Sequence, residues 1–239
     1  MGFIDAAADL LVQGACPGCA RPGSGVCAGC ARWIGAGVIG ERFRAVLDMP
    51  LWSAGEYADP LTRIISQAKD HHRHDALPLL AQRLALAVAG LADALGLAGP
   101  GLLVPVPSAP AAVRERGLDF TSTLANTAAR HLARAGLTTR AEPALRQLRA
   151  VQDPGGLVAA ERQRNLTGSL GAVRPRSARW LVVVDDVVTT GASLQESVRA
   201  LTAVGIPPVG LATVAATTLR TGGNQQNLAL LLPNWGSSG

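Results

Sequence analysis

Lysine is nearly absent from this chain: of 22 Lys and Arg residues only Lys69 is a lysine. Rings are scarce too, at 3% of 239 residues, so the protein is poorly equipped to stack bases along a nucleic-acid strand. Blocks of like charge are missing, and with 48% hydrophobic residues this excludes a disordered, charge-rich tail. Four cysteines are too few to staple a chain of this length, which excludes a disulfide scaffold. The most apolar window, Leu84 to Val106, is broken by Asp93, Gly96, Gly99, Pro100 and Gly101, and is not read as a membrane span. Asp5 and Asp9 stand where a secretory signal carries positive charge, so a cytoplasmic, reducing setting and no membrane partner are expected.

The cysteines that are present fall close together, as Cys16-Pro17-Gly18-Cys19 and Cys27-Ala28-Gly29-Cys30. Each C-x-x-C pair forms a knuckle that aims two thiolates at one cation, and two knuckles complete a tetrahedral structural Zn²⁺ site. The alternative is a reduced, cysteine-rich turn without metal. Four thiolates leave no open position, so a catalytic zinc is disfavoured.

The rest of the chain reads as α/β. Leu51 to Tyr57 is expected as a strand, and Asp59-Pro60 opens a helix whose apolar positions are Leu61, Ile64, Ile65 and Ala68, with Lys69 near its end. His71, His72 and His74 read as a solvated junction rather than a metal cluster. A long helix follows over Asp75 to Leu95, then a buried strand at Leu102 to Val104 that stops at Pro105-Val106-Pro107. The basic stretch Ala111 to Asp119 precedes a helix over Phe120 to Ala135, and Ala144 to Arg149 is expected as a short strand.

Chemistry concentrates at Trp180 to Ser193. A continuous aliphatic run, expected for a central parallel strand, ends in Asp185-Asp186 and continues Val187-Val188-Thr189-Thr190-Gly191-Ala192-Ser193 into a helix that Gly205 closes. Strand, polar turn and helix place backbone N–H groups around an anion, with Thr and Ser hydroxyls as further donors. Two carboxylates beside a phosphate accept hydrogen bonds from sugar hydroxyls or hold a divalent cation.

Leu181 to Ser193, LVVVDDVVTTGAS, resembles the 5-phosphoribosyl-1-pyrophosphate (PRPP) signature of type I phosphoribosyltransferases. With the four-cysteine ribbon, Tyr57, Pro60, Lys69, Pro105-Val106-Pro107, Arg114-x-Arg116-Gly117 and Arg162-x-x-Asn165, the order of elements is similar to the ComF family, up to about Thr218. Leu118 and Asp119 depart from the aromatic and Asn of the family pattern, and Pro154 replaces a Gln. The resemblance implies a Rossmann-like core at 49–220 with a mostly parallel sheet and a hood near 110–175. A zinc-ribbon segment at 1–48 precedes this core and a tail at 221–239 follows it.

By the same resemblance Asp185 and Asp186 bind the ribose hydroxyls, with or through Mg²⁺. Val187, Thr189, Thr190, Gly191, Ala192 and Ser193 hold the 5-phosphate, and Pro105-Val106 faces pyrophosphate. Arg114 and Arg116 contact the leaving group, Arg116 catalytically, unless they belong to a solvated loop. Lys69 either supplies a compact ammonium to the site or is a surface charge. Arg162 and Asn165 read as polar anchors of the hood. Two functions follow as expectations: Mg²⁺-dependent phosphoribosyl transfer to an unknown nucleophilic acceptor, or a non-catalytic accessory to DNA uptake with single-stranded DNA or the uptake machinery as partner. A homodimer is also expected.

Overall fold

The structure is a computed structural model that describes residues 14–37, 40–42, 48–149 and 166–217. Its elements, in chain order, are α1 (Ala28–Gly35), β1 (Gly40–Arg42), β2 (Leu51–Ser53), α2 (Leu61–Asp70), a 3₁₀ turn (His74–Ala76), α3 (Leu77–Ala94), β3 (Gly101–Pro105), α4 (Pro110–Arg116), α5 (Phe120–Arg134), β4 (Thr139–Ala141), β5 (Leu145–Gln147), β6 (Leu170–Ala172), β7 (Trp180–Val188), α6 (Ala192–Ala203) and β8 (Gly210–Ala216). Six strands form one sheet in the order β1-β2-β8-β7-β3-β4, all parallel except the β1–β2 pair. This is the expected α/β, Rossmann-like core. β5 and β6 pair antiparallel as a separate ribbon.

Each face of the sheet buries its own helices. Trp180, Val182 and Val184 of β7 join Leu103, Ala212 and Val214 in a core with α2, α3 and α5, while Leu181 and Val183 join Leu102, Val104 and Leu211 under α6 and the β5–β6 ribbon. Strand periodicity alone assigns these two sets. α3 is apolar around most of its circumference because it lies across the middle of the first core, and its buried set runs from Leu77 to Ala92.

The chain path creates a crevice. From β3 it continues by α4 and α5 outward to β4, whereas from β7 it continues by α6 to β8 on the other side. Ligands of open α/β sheets bind at such a reversal, at the carboxyl ends of the strands. Here that place lies between Pro105 and Val184, which are register partners, and the loop after β3 is held there by the Val106 N–H donating to the Val184 carbonyl at 2.9 Å.

Several sequence expectations are revised. β2 is three residues rather than Leu51 to Tyr57; beyond it Ala54 and Tyr57 still donate N–H bonds to the β8 backbone. Asp59 does not cap α2: Pro60 is the capping residue, and Asp59 instead pairs with Arg63 at 2.8 Å. The stretch after Pro107 contains α4, begun by Pro110 and ended by Gly117 at φ +67. β7, expected to end in the acid pair, runs on through it to Val188. Within the span 110–175, α5 packs on α3 and β4 extends the main sheet, so the separate ribbon there is β5–β6. The three histidines are exposed, as a solvated junction requires. Arg162, Asn165, Pro154 and the 221–239 tail lie outside the described residues.

Candidate functional site

The alternation of β7 slips at the acid pair. Val184 packs with the α2–α3–α5 core, yet Val187 does so too and Val188 turns to the α6 side. β8 slips at the same level, with Val214 and Ala215 in the first core and Ala216 in the second. At the slip the Asp186 N–H donates to its neighbour's carboxylate, Asp185 Oδ1, at 2.8 Å. The two acids are therefore displayed by a distorted strand end rather than by a regular ladder.

Lys69 meets them there. Its Nζ lies 2.6 Å from Asp186 Oδ2, and the Asp186 side chain is only 6% exposed, so the lone lysine is a counter-ion inside the site and not a surface charge. Burial would raise the Asp186 carboxyl, but the Lys69 charge and hydrogen bonds from Asp185, Lys69 and the Val187 amide outweigh it and lower its pKa. Asp185 moves the other way: burial first, then the charge of Asp186, push it well above the usual carboxylate range. Burial works against the Lys69 charge, but Asp186 and Asp185 together raise its pKa. The arrangement is two adjacent acids whose pKa values are driven apart, beside one ammonium. It can accept and donate hydrogen bonds to vicinal hydroxyls.

Arg116 is brought to the same corner, its guanidinium 3.3 Å from Asp70 Oδ1, the residue after Lys69. Arg114 is not. Two positions apart on a helix, the arginines face different ways, and Arg114 lines a cavity of about 340 Å³ with Pro110, Gln147, Leu148 and Arg149. Sequence reasoning had grouped the two.

Beyond β7 the turn is built for tight curvature. Gly191 sits at φ +79 and caps α6, and the Ala192 N–H donates to Thr190 Oγ1 at 3.4 Å. Thr217, which the sequence did not single out, braces the turn from β8: its N–H donates to the Val188 carbonyl and its hydroxyl to the Thr189 carbonyl at 3.1 Å. Thr189 is exposed, Thr190 and Ser193 are half-buried, and the amino end of α6 faces this turn. Asp119, a departure from the family pattern, has a local role: it caps α5 through the Ser122 N–H and accepts from the hydroxyls of Ser122 and Ser108.

The four cysteine sulfurs all lie within 4.8 Å of one another, and Cys19 and Cys27 are 3.6 Å apart. A tetrahedral zinc with Zn–S bonds of about 2.3 Å needs sulfurs separated by about 3.8 Å, so the donor set fits Zn²⁺. The Cys27 N–H points at Cys16 Sγ, 3.3 Å away, and the Cys30 N–H at Cys27 Sγ. Burial would raise Cys16, yet the amides of Cys27, Cys19 and Gly18 bring it down to about 6, and the Cys30 amide lowers Cys27. Burial and neighbouring thiols push Cys30 up, as expected of crowded sulfurs without a cation.

Mg²⁺ is a poorer fit to the acid pair, because Asp186 Oδ2 is already held by the Lys69 ammonium at 2.6 Å.

The chain is similar to bacterial proteins named DNA utilization protein YhgH. It is 29% identical to the Escherichia coli (strain K12) protein over 186 residues, which are 78% of this chain and 77% of that one. It is 28% identical to those of Shigella flexneri and Salmonella typhimurium (strain LT2) over the same shares. No family model matches the chain. These likenesses are consistent with the ComF-like order of elements read in the sequence.

Proposed function

We propose that this protein binds PRPP at the end of β7 and serves in DNA utilization, with transfer of the phosphoribosyl group to an acceptor as its catalytic form. The observation that carries the reading is the braced acid pair: Asp186 held by Lys69 at 2.6 Å, beside a Thr-Thr-Gly turn that enters α6. The turn and the amino end of α6 suit the 5-phosphate, and the acid pair suits the two ribose hydroxyls. The reading puts the pyrophosphate beside Arg116 and Lys69, whose charges would offset the negative charge that grows on it. In the transfer, the acceptor's lone pair forms a bond to ribose C1 as the C1–O bond to pyrophosphate breaks and its electron pair leaves with pyrophosphate. Cations fixed near that oxygen stabilise the departure. Were Mg²⁺ to enter with the substrate, it would neutralise pyrophosphate charge, and Asp185 and Asp186 would be left to the ribose hydroxyls. The paired thiols keep the cytoplasmic setting in the proposal.

The second reading, a PRPP-regulated accessory that does not turn over, is favoured by the name of the relatives, which speaks of DNA and not of transfer. Isothermal calorimetry with PRPP and Mg²⁺ tests the shared premise: saturable heat is expected, abolished in Asp185→Ala/Asp186→Ala, and no heat with the wild-type protein rejects it. A mass-spectrometric screen for pyrophosphate release against pooled nucleobases and amines separates the two. Release supports transfer, and binding without release supports the accessory.

A further inference from the structure

A cavity lies at the opposite end of β7 from the acid pair. It has a volume of about 460 Å³ and is walled by the loop Arg174-Pro175-Arg176-Ser177-Ala178-Arg179, with Leu181, Ile206, Pro207 and Val209 behind. Three arginines stand within six residues, all three exposed, and no carboxylate lines the cavity. Among the described residues none of the three is in an ion pair. Such a concentration is unlike the dispersed arginines elsewhere in the chain.

The loop is held in shape by neighbours rather than left free. Arg140, on the edge strand β4, donates to the carbonyls of Arg176 and Ser177 at 2.8 and 3.2 Å. The Arg176 N–H donates to Glu142 Oε1 at 3.2 Å, and the Glu142 charge is in turn paired with Arg140. The Arg179 N–H donates to the Pro100 carbonyl at 2.8 Å, and its side-chain stem lies over Gly99, where a Cβ would collide with it. A loop ordered in this way loses little freedom when its guanidinium groups bind.

We infer that this arginine-lined face binds the phosphodiester backbone of DNA. Guanidinium forks match phosphate oxygens, and three on one open, shallow wall suit a repeating anion better than a single small one. Trp180, the ring that lines this cavity, is 4% exposed and donates its indole N–H to the Gly99 carbonyl at 3.1 Å, so it is not offered for stacking on bases. Contact through phosphates alone gives binding without sequence preference and with strong salt dependence. The inference deepens the DNA arm of the function proposed above and rests on it; it is independent of PRPP.

Fluorescence anisotropy of labelled single-stranded and duplex DNA tests it, with wild type, Arg174→Gln/Arg176→Gln/Arg179→Gln and the charge reversal Arg176→Glu. Because the three side chains are exposed, the variants should keep the wild-type melting curve and PRPP heat. The expected result is binding that weakens between about 50 and 200 mM salt, with a log–log slope shallower by about 2 to 3 in the triple variant, from 0.7 to 0.9 per lost phosphate contact. Affinity at the lower salt should fall at least about tenfold by the same count. If wild type and triple variant bind DNA alike, the face is wrong while the DNA reading stands. If neither binds at low salt, the DNA reading itself fails. Tighter binding of RNA of the same length, or full competition by inorganic pyrophosphate, also overturns the proposal.

Discussion

Lys69 is the residue on which the site turns. A carboxylate as buried as Asp186 is costly unless paired, and removing one partner of a fully buried pair costs about 3–5 kcal/mol. Lys69 is 31% exposed, so Lys69→Met should cost less, about 2 kcal/mol at neutral pH, read as a lower urea midpoint. The pH dependence follows from the direction of each shift. Asp186 has a lowered pKa in the fold, so its contribution is present above the unfolded value of about 4 and is lost as pH falls through its folded pKa. Asp185 has a raised pKa, so its contribution is present below about 4 and is lost as pH rises through its folded pKa. The gap between wild type and Lys69→Met should therefore narrow toward and below pH 4, as Asp186 becomes neutral in both. An equal gap at pH 7 and in acid would mean that Lys69 contributes packing and no charge. Asp186→Asn placed on Lys69→Met should recover most of the loss, since it removes the unpaired charge.

At the scale of elements, the β3–β7 pairing fixes the crevice, and one position reports on it. Gly101 is the register partner of Trp180, and a Cβ at Gly101 would run into the indole ring. Gly101→Ala should cost about 1–3 kcal/mol by overpacking, and Trp180→Leu should relieve it, making the double variant more stable than the sum of the singles predicts. Strict additivity in urea denaturation would contradict the register. This strand pair and the turn into α6 were legible in the sequence because long aliphatic runs and a glycine turn are local signals. β8 was not. Its GLATVAA carries little bulk, since it lies in the sheet's middle where α3 presses close: a Cβ at Gly210 would come within 2.9 Å of Leu91 Cδ2. β4 and β6, at three residues each, are too short for periodicity to register. Lys69 could be named for its rarity, but its partner lies 117 residues away and only the fold joins them.

At the scale of the whole molecule, the cysteine ribbon is not an ornament on the sheet. Cys16, Cys30 and Ile34 belong to the same buried cluster as Leu61, Ile64 and Leu80. Gly18 lies so close that a Cβ there would stand 2.9 Å from the Cys30 sulfur and 3.0 Å from Ile64 Cδ1. Arg73, 4% exposed, donates to the Ala15 carbonyl at 2.8 Å and pairs with Asp75, clamping the first knuckle to the junction before α3. Arg83, equally buried, donates to the carbonyls of Gly37 and Ala54 and ties the segment after α1 to that following β2. Zinc should therefore stabilise the sheet domain as well as the ribbon. Atomic absorption is expected to find about one zinc per chain, by the four-thiolate count of a structural site. Chelation or Cys19→Ser should lower the main thermal transition by about 2–4 °C for each kcal/mol lost. Gly18→Ala should lower it too while retaining the metal, because it disturbs the docking and not the ligands. A ribbon that melted separately, with the main transition unmoved by chelation, would show that the shared cluster carries no coupling. Protein purified with free thiols and no zinc would remove the metal from the account altogether.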